Sequence, residues 1–503
     1  MLIVGFIIFM VICALLCVLT ASDQDDPRAD DRPLSAWQHG AVINGECMTA
    51  ITLLAATGLV AFTGGDGMAL PLGMVMGLGL LTLLLAEPLR RAGGRTVADA
   101  LSMRLPGRSV RIALGLVTLT VCLPFLVLQL TAVGTVMDYL VGLPGTGTRT
   151  TSIVLAGGLM VSLALTGGIR GTAVVQLVKV GFLLVVLVVV GALVLHRFGW
   201  DGGRLMRAAA SGSQLEEAYR GTGVQYGDGA VAVLNRIGLY LTLLVAVAGL
   251  PHVTMRVQAT AGASDARRSL RWAVRFLLVI SALVVLAGVG AVAVLGRDVL
   301  VEADPSGTRS LLLLAGALDQ RGILLTAIAG AVFLAALAAI ADITLAAATS
   351  LAHDIVGSSA RPRPAAAPRE TGLVRGSAAA IGMVTVGCAV AAADWNLLVL
   401  STLALAVSAS ALTPVLVLGL LWPRFTSRGA LCCLYGSTLL VILLVSVSPH
   451  LSGTPQAVFP GVDFRWTPLL NPGIVTIPTG FALGWLGSVL GRQPTPVESS
   501  ASA

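Results

Sequence analysis

Long apolar runs separated by short polar connections fill this chain. About 20 apolar residues in helical conformation cross roughly 30 Å of hydrocarbon. Runs of that kind recur thirteen times, at 1–20, 41–63, 68–88, 111–141, 150–167, 173–196, 232–252, 272–296, 322–352, 374–393, 396–421, 429–447 and 473–491. The runs are continuous rather than alternating, which excludes a transmembrane β-barrel. The pattern therefore predicts an all-α polytopic membrane protein with about 13 spans. The first run has no basic segment ahead of it and no small-residue cleavage site behind it, so it reads as a helix and not as a signal peptide.

Composition agrees. Of 503 residues, 56% are hydrophobic and 11% charged, and the mean hydropathy is +0.92. Soluble domains carry about 25% charged residues. The formal charge of +7 is not a nucleic-acid signal, because the arginines lie between spans. Arg90, Arg91, Arg95, Arg104, Arg108 and Arg111 separate spans 3 and 4, and Arg256, Arg267, Arg268 and Arg271 separate spans 7 and 8. Arg361, Arg363 and Arg369 follow span 9, and Arg424 and Arg428 follow span 11. All fall on one side of a thirteen-span topology, which the positive-inside rule makes cytoplasmic. The N-terminus is then outside and the C-terminus inside a bacterial-type plasma (inner) membrane. The segment "ASDQDDPRADDRPLS" is acidic yet cytoplasmic in this topology, and acids weigh little in that rule.

Other classes fall away for lack of parts. The seven cysteines lie in or beside apolar runs without histidine at metal-ligand spacing, so neither a disulfide framework nor a zinc site is expected. The Cys432-Cys433 pair reads as helix packing. No "GxxxxGK[ST]" loop supplies an ATP-driven engine, and no "HExxH" or "GxSxG" suggests an enzyme. The tail "RQPTPVESSASA" reads as disordered.

Ionisable groups inside spans are costly and mark function by default. Glu46 lies between Gly45 and Cys47 in "INGECMTAITLLAATG". Glycine and a carboxylate in an apolar helix suggest a local break, tolerated where it lines a cavity; an interfacial glutamate is the competing reading. Asp342 precedes Asp354 by twelve residues, ~18 Å along a helix, which puts it near mid-membrane. It is a cation or proton site, or else a protonated carboxyl bonded to a neighbouring helix. Gln176 and Lys179 share a face of span 6. Lys179 is the only lysine of the chain, beside thirty-one arginines; it either snorkels to the headgroups or serves a cation site. Gln129 is a neutral polar group at depth in span 4, equally suited to packing and to substrate. His252 follows Pro251 in "GLPH" and reads as a cap or interfacial residue.

Several segments in this order resemble the sodium:solute symporter family, and most of all its cation/acetate branch. They are "NGECMTAITLLAATGLVAFTGGDG", "LAEPLRRAGGRTVADALSMRL", "GGIRGTAVVQLVKV", "AGLPHVTMRVQATAGASDARRSL" and "LAAATSLAHDI", within residues 40–425. The resemblance implies a leucine-transporter-like fold of two inverted five-helix repeats, spans 2 to 11 being core helices 1 to 10. It divides the chain into an extra helix and acidic loop (1–40), a transport core (41–421, with repeats 41–196 and 232–421), two further helices (422–491) and the tail (492–503). Core helices 1 and 6 are then broken, with substrate at the breaks. Glu46, Thr49, Gln129 and Gly249 are the implied substrate residues, and Pro251 and His252 the gating or structural ones.

The family's main sodium site maps to Gly45 and Met48 of core helix 1 and to Ala335, Ala338 and Ala339 of core helix 8. Its usual Ser/Thr pair is Ala338-Ala339 here, so two hydroxyl ligands are missing. The family's second sodium site maps to Gln176, Ala341 and Asp342, so the carboxylate has moved from core helix 5 to core helix 8. Asp342, with Lys179 or Glu46 nearby, is the expected coupling centre, for H+ or for Na+. The implied activity is symport of a small monocarboxylate such as acetate, propionate or pyruvate. Proline or another small solute, and a nutrient sensor, are the alternatives. Beyond Na+ as a coupling ion no cofactor is implied, and the expected partners are the carboxylate and the lipid bilayer, with no nucleic acid or obligatory protein partner.

Overall fold

A computed structural model describes residues 34–141, 146–357, 368–392, 397–454 and 457–491. The run at 1–20, the acidic loop 22–31, Arg361, Arg363 and the tail 492–503 lie outside the described residues. The elements are α1 (Ala36–Cys47), α2 (Ala50–Thr63), α3 (Ala69–Leu84), α4 (Ala86–Ala92), α5 (Val97–Ser102), α6 (Arg108–Val141) and α7 (Thr146–Arg197). Next come α8 (Gly202–Gly212), α9 (Ala230–Gly249), α10 (Pro251–Gln258), α11 (Ala263–Leu295), α12 (Arg297–Ala303), α13 (Ser310–Leu318) and α14 (Ile323–Ser350). The last are α15 (Pro368–Ala391), α16 (Leu397–Val407), α17 (Thr413–Leu421), α18 (Ser427–Ser446) and α19 (Gly473–Val489). Among the described residues nine helices are long and apolar enough to cross a membrane, or ten with α1 and α2 taken as one bent span.

Two differences from the sequence-based expectation have physical causes. Spans 5 and 6 were expected to be separated at "GGIRG", but α7 stays helical from Thr146 to Arg197. Its 52 residues amount to ~78 Å at the helical rise, and its part Gly171–Arg197 is long and apolar enough to cross a membrane. Glycine weakens a helix but does not end it without a capping turn. The segment between spans 8 and 9 carries the short helices α12 and α13, which are too short to register as spans. On the same side of the bundle, Asp201 caps α8 by accepting from the amides of Gly203 (2.8 Å) and Arg204 (3.2 Å). Those donors hold its carboxyl below the usual range.

Both breaks expected from the resemblance are present. α1 and α2 meet at 65°, with Thr49 capping α2 by accepting from the Thr52 amide. α9 ends at Gly249 and α10 restarts at Pro251, with Leu250 extended between them. Proline has no N–H, so carbonyls in the last turn of α9 lose helical donors. Hydroxyls of the last core helix replace them: Ser408 donates to the Ala246 carbonyl (2.7 Å) and Thr413 to that of Val245 (2.9 Å). Ser408–Leu412 is a π turn between α16 and α17, and that widened turn presents these hydroxyls to α9.

Each end of the bundle is tied by its own polar set. At the arginine-rich end, Arg90 donates to the carbonyls of Thr260 (2.5 Å) and Ala261 (3.0 Å). Arg104 reaches those of Gly419 and Leu420, and Gln258 those of Gly93 and Thr96. Arg111 bridges Asp99 and Asp354, the latter at 3.0 Å, while Thr96 and Ser350 also donate to Asp354. At the opposite end Tyr219 donates to the Val60 carbonyl (2.9 Å), Asp66 accepts the amides of Gly223 and Gln225, and Arg309 pairs with Asp138 (2.5 Å).

Where backbones touch, a side chain has no room. A Cβ at Gly58 would fall onto the backbone of Gly307, whereas one at Gly79 would meet nothing within 4 Å. Gly58→Ala is therefore expected to lower stability by about 1–3 kcal/mol through overpacking, and Gly79→Ala to leave it unchanged or slightly raised. Thermal melting in detergent checks both.

Candidate functional site

Four charged side chains meet inside the bundle: Glu46 on α1, Lys179 on α7, Arg256 on α10 and Asp342 on α14. Their exposures are 2%, 0%, 1% and 0%. Arg256 joins the acids, donating from Nε to Glu46 Oε1 (2.9 Å) and from Nη2 to Asp342 Oδ1. Nη2 also reaches Thr172 Oγ1 on α7 at 2.6 Å. The second oxygen of Asp342 accepts from Gln176 Nε2 (2.7 Å). Lys179 Nζ donates to the carbonyl of Gly45 at 2.5 Å. Burying unpaired ions costs several kcal/mol each, so only a balanced, hydrogen-bonded set can persist there. Counted at their formal charges, two carboxylates balance an ammonium and a guanidinium, and of the carboxylate oxygens only Glu46 Oε2 has no partner among the described residues.

Helix geometry brings them together. Gln176, Lys179 and Thr172 share one face of α7 at three- and four-residue spacings. That face lies against α1 so closely that a Cβ at Gly45 would collide with Gln176 Oε1. The α9–α10 break turns Arg256 inward, and His39 Nε2 meets its backbone carbonyl at 2.9 Å.

Here the structure corrects the sequence reading. Arg256 was grouped with Arg267, Arg268 and Arg271 as a loop arginine that sets topology; instead it is helical, buried and central to the cluster. Charge balance was the signal that could have found it. Two intramembrane acids and one lysine leave one negative charge uncompensated, and Arg256 follows the Pro251 break by five residues. Lys179 does not snorkel, since it is fully buried. Glu46 is likewise buried against other helices. His252 is buried too, at 3% exposure, and Phe125 of α6 meets its ring edge-on at 6.1 Å.

The other candidates divide. Gln129 is buried, and neither end of its amide finds a hydrogen-bond partner among the described residues. It sits one turn from Phe125 and shares its face, so it points toward the region of His252, whose Nδ1 also lacks a partner. Both polar atoms of Asn44, beside the first break, are likewise unpartnered. Gly249 is tightly packed, since a Cβ there would lie 2.5 Å from Thr413 Oγ1 and 2.7 Å from the Ser408 carbonyl. Pro251 is the first residue of α10. Met48 is the buried C-cap of α1.

The residues that the resemblance assigns to sodium do not fit that ion. Hard cations need several oxygen ligands. Ala335, Ala338 and Ala339 carry none on their side chains, so that site has only backbone carbonyls to offer, there and at Gly45 and Met48. The Gly45 carbonyl is taken by Lys179 and the Asp342 carboxylate by Arg256 and Gln176.

Comparison with known proteins agrees with this architecture. The family model described as sodium:solute symporter family matches residues 29–436. A protein named monocarboxylic acid transporter from Corynebacterium glutamicum is 30% identical over 499 residues, covering 97% of this chain and 90% of its own. The uncharacterized symporter YwcA of Bacillus subtilis is 31% identical over 464 residues, covering 92% and 88%. Among solved structures, the substrate-bound outward-open state of a Na+-coupled sialic acid symporter superposes with a TM-score of 0.71 at 15% identity, covering 98% of this chain and 99% of that one. That likeness shows the leucine-transporter-like fold. With a family match over most of its length and the paired breaks that fold requires, the chain belongs to the sodium:solute symporter family, as a multi-pass transporter of the plasma membrane and not an enzyme.

Proposed function

We infer that this protein takes up a small monocarboxylate of the acetate, propionate or pyruvate type together with a monovalent cation by alternating access. The observation that carries this reading is a set of buried, unpartnered neutral polar groups (Gln129, His252 Nδ1 and the Asn44 amide) beside two helix breaks. Such a region suits a ligand with one polar end. The N-terminus of α2 at the first break offers backbone amides and a positive dipole end for a carboxylate. A sugar would need many more polar partners. The similarity to a protein named monocarboxylic acid transporter supports the same substrate class.

The substrate is not held by a salt bridge in this reading. Arg256 is committed to Glu46 and Asp342 and Lys179 to Gly45, so neutral donors do the work. Alternating access then requires the ties at the arginine-rich end to open, including Arg90 to Thr260 and Arg111 to Asp354.

Purified protein in liposomes under an inward cation gradient should accumulate radiolabelled acetate, propionate or pyruvate above equilibrium. Binding without flux, or accumulation of proline instead, would refute this substrate assignment. Gln129→Leu separates a substrate role from a packing role. Removing a hydrogen bond to an ionised group costs roughly 1.5–3 kcal/mol, or about 10- to 100-fold in apparent affinity. The melting temperature should stay level or rise, because an unsatisfied buried amide is replaced by an apolar group of similar size. A fall in stability with unchanged affinity would assign Gln129 to packing.

A further inference from the structure

We propose that the two places this fold offers to a coupling metal cation are filled by the protein's own side-chain cations, Lys179 at the first helix break and Arg256 between Glu46 and Asp342, so that the transport core binds no sodium. This rests on the symporter reading above but concerns the ion rather than the substrate.

Three observations converge. The first is occupancy: Lys179 Nζ lies 2.5 Å from the Gly45 carbonyl, within reach of a backbone oxygen that the break leaves beside α7. A compact ammonium is the side-chain group closest in charge and size to a bound monovalent cation. The second is ligand supply. Ala335, Ala338 and Ala339 share the face of α14 that carries Asp342 and bring no side-chain oxygen, and the Asp342 oxygens are already engaged, Oδ1 by Arg256 and Oδ2 by Gln176. The third is charge. By formal charge Glu46 and Asp342 balance Lys179 and Arg256, and all four are at most 2% exposed. An added sodium ion would leave the cluster with an uncompensated positive charge in a medium that penalises it heavily.

The same arithmetic shows what Lys179 does. Replacing it by a neutral side chain leaves a net negative charge beside an uncovered carbonyl, which is a cation site in the making. Replacing it by arginine keeps the charge, so no such site appears. A lysine that served packing alone would not sort variants by charge.

Equilibrium binding of radiolabelled sodium to the purified full-length chain, read alongside its melting temperature in sodium and in choline, tests this directly. Wild type should show no saturable sodium binding and the same melting temperature in both salts. Lys179→Gln should gain saturable binding and a melting temperature that climbs with sodium, as linkage requires of a ligand selective for the folded state, while Lys179→Arg should gain neither. In liposomes, wild-type monocarboxylate uptake should persist when choline replaces sodium. Saturable sodium binding by wild type, or uptake lost in choline, overturns the proposal, as does a folded Lys179→Gln protein with no sodium response. If Lys179→Gln does not fold, the wild-type binding measurement decides alone. Absence of monocarboxylate flux in either salt would refute the substrate assignment and leave the binding result standing.

Discussion

Everything in the core depends on the guanidinium of Arg256. It bonds to two buried acids, Glu46 on α1 and Asp342 on α14, and it also reaches Thr172 on α7. Without it, two carboxylates would face one another in an apolar bundle with a single lysine nearby. Such an arrangement is unaffordable unless one acid is neutralised. Arginine suits the position because its planar fork offers several donors in fixed directions and stays charged when buried. The α9–α10 break exists in part to deliver this side chain, since a straight helix beyond Gly249 would carry residue 256 elsewhere. Hydroxyls of Ser408 and Thr413 then stabilise the carbonyls that the break leaves exposed.

Seen this way, charge balance and conformational change are linked. Arg256 ties α10 to α1, and Gln176 ties α7 to α14. The arginine-rich end is closed by further ties to backbone carbonyls from Arg90, Arg104 and Gln258. Interhelical hydrogen bonds in membranes are individually modest. A set of them can hold one state and still be exchanged for another, as alternating access demands.

Much of this was legible in the sequence, for identifiable reasons. Hydropathy marks spans because a bilayer imposes length and apolarity directly. A lone lysine and an aspartate far from any headgroup stand out because their cost at depth is high. A break near Gly45-Glu46 was suggested by glycine beside an acid, and the structure has it a few residues on, at Met48-Thr49. Arg256 was not legible, because an arginine after an apolar run has the same local signature whether it faces cytoplasm or a buried acid. Only the sum of charges over distant segments tells the two apart. Nor could local pattern show that Gly249 yields to Thr413 and Ser408, because that contact joins residues some 160 positions apart. The continuity of α7 through "GGIRG" was hidden because glycines suggest a break, although without a capping turn they only weaken a helix.

The central claim, that Arg256 and Asp342 are one electrostatic unit, is tested most directly by a double-mutant cycle. Thermal stability of the wild type, Arg256→Gln, Asp342→Asn and the double variant would be compared in detergent. Each single change strands a buried charge, so the double variant is predicted to be more stable than the sum of the two losses allows, with a coupling of about 1–3 kcal/mol. Strictly additive losses would contradict the account, because they would mean that the two groups do not compensate one another inside the bundle.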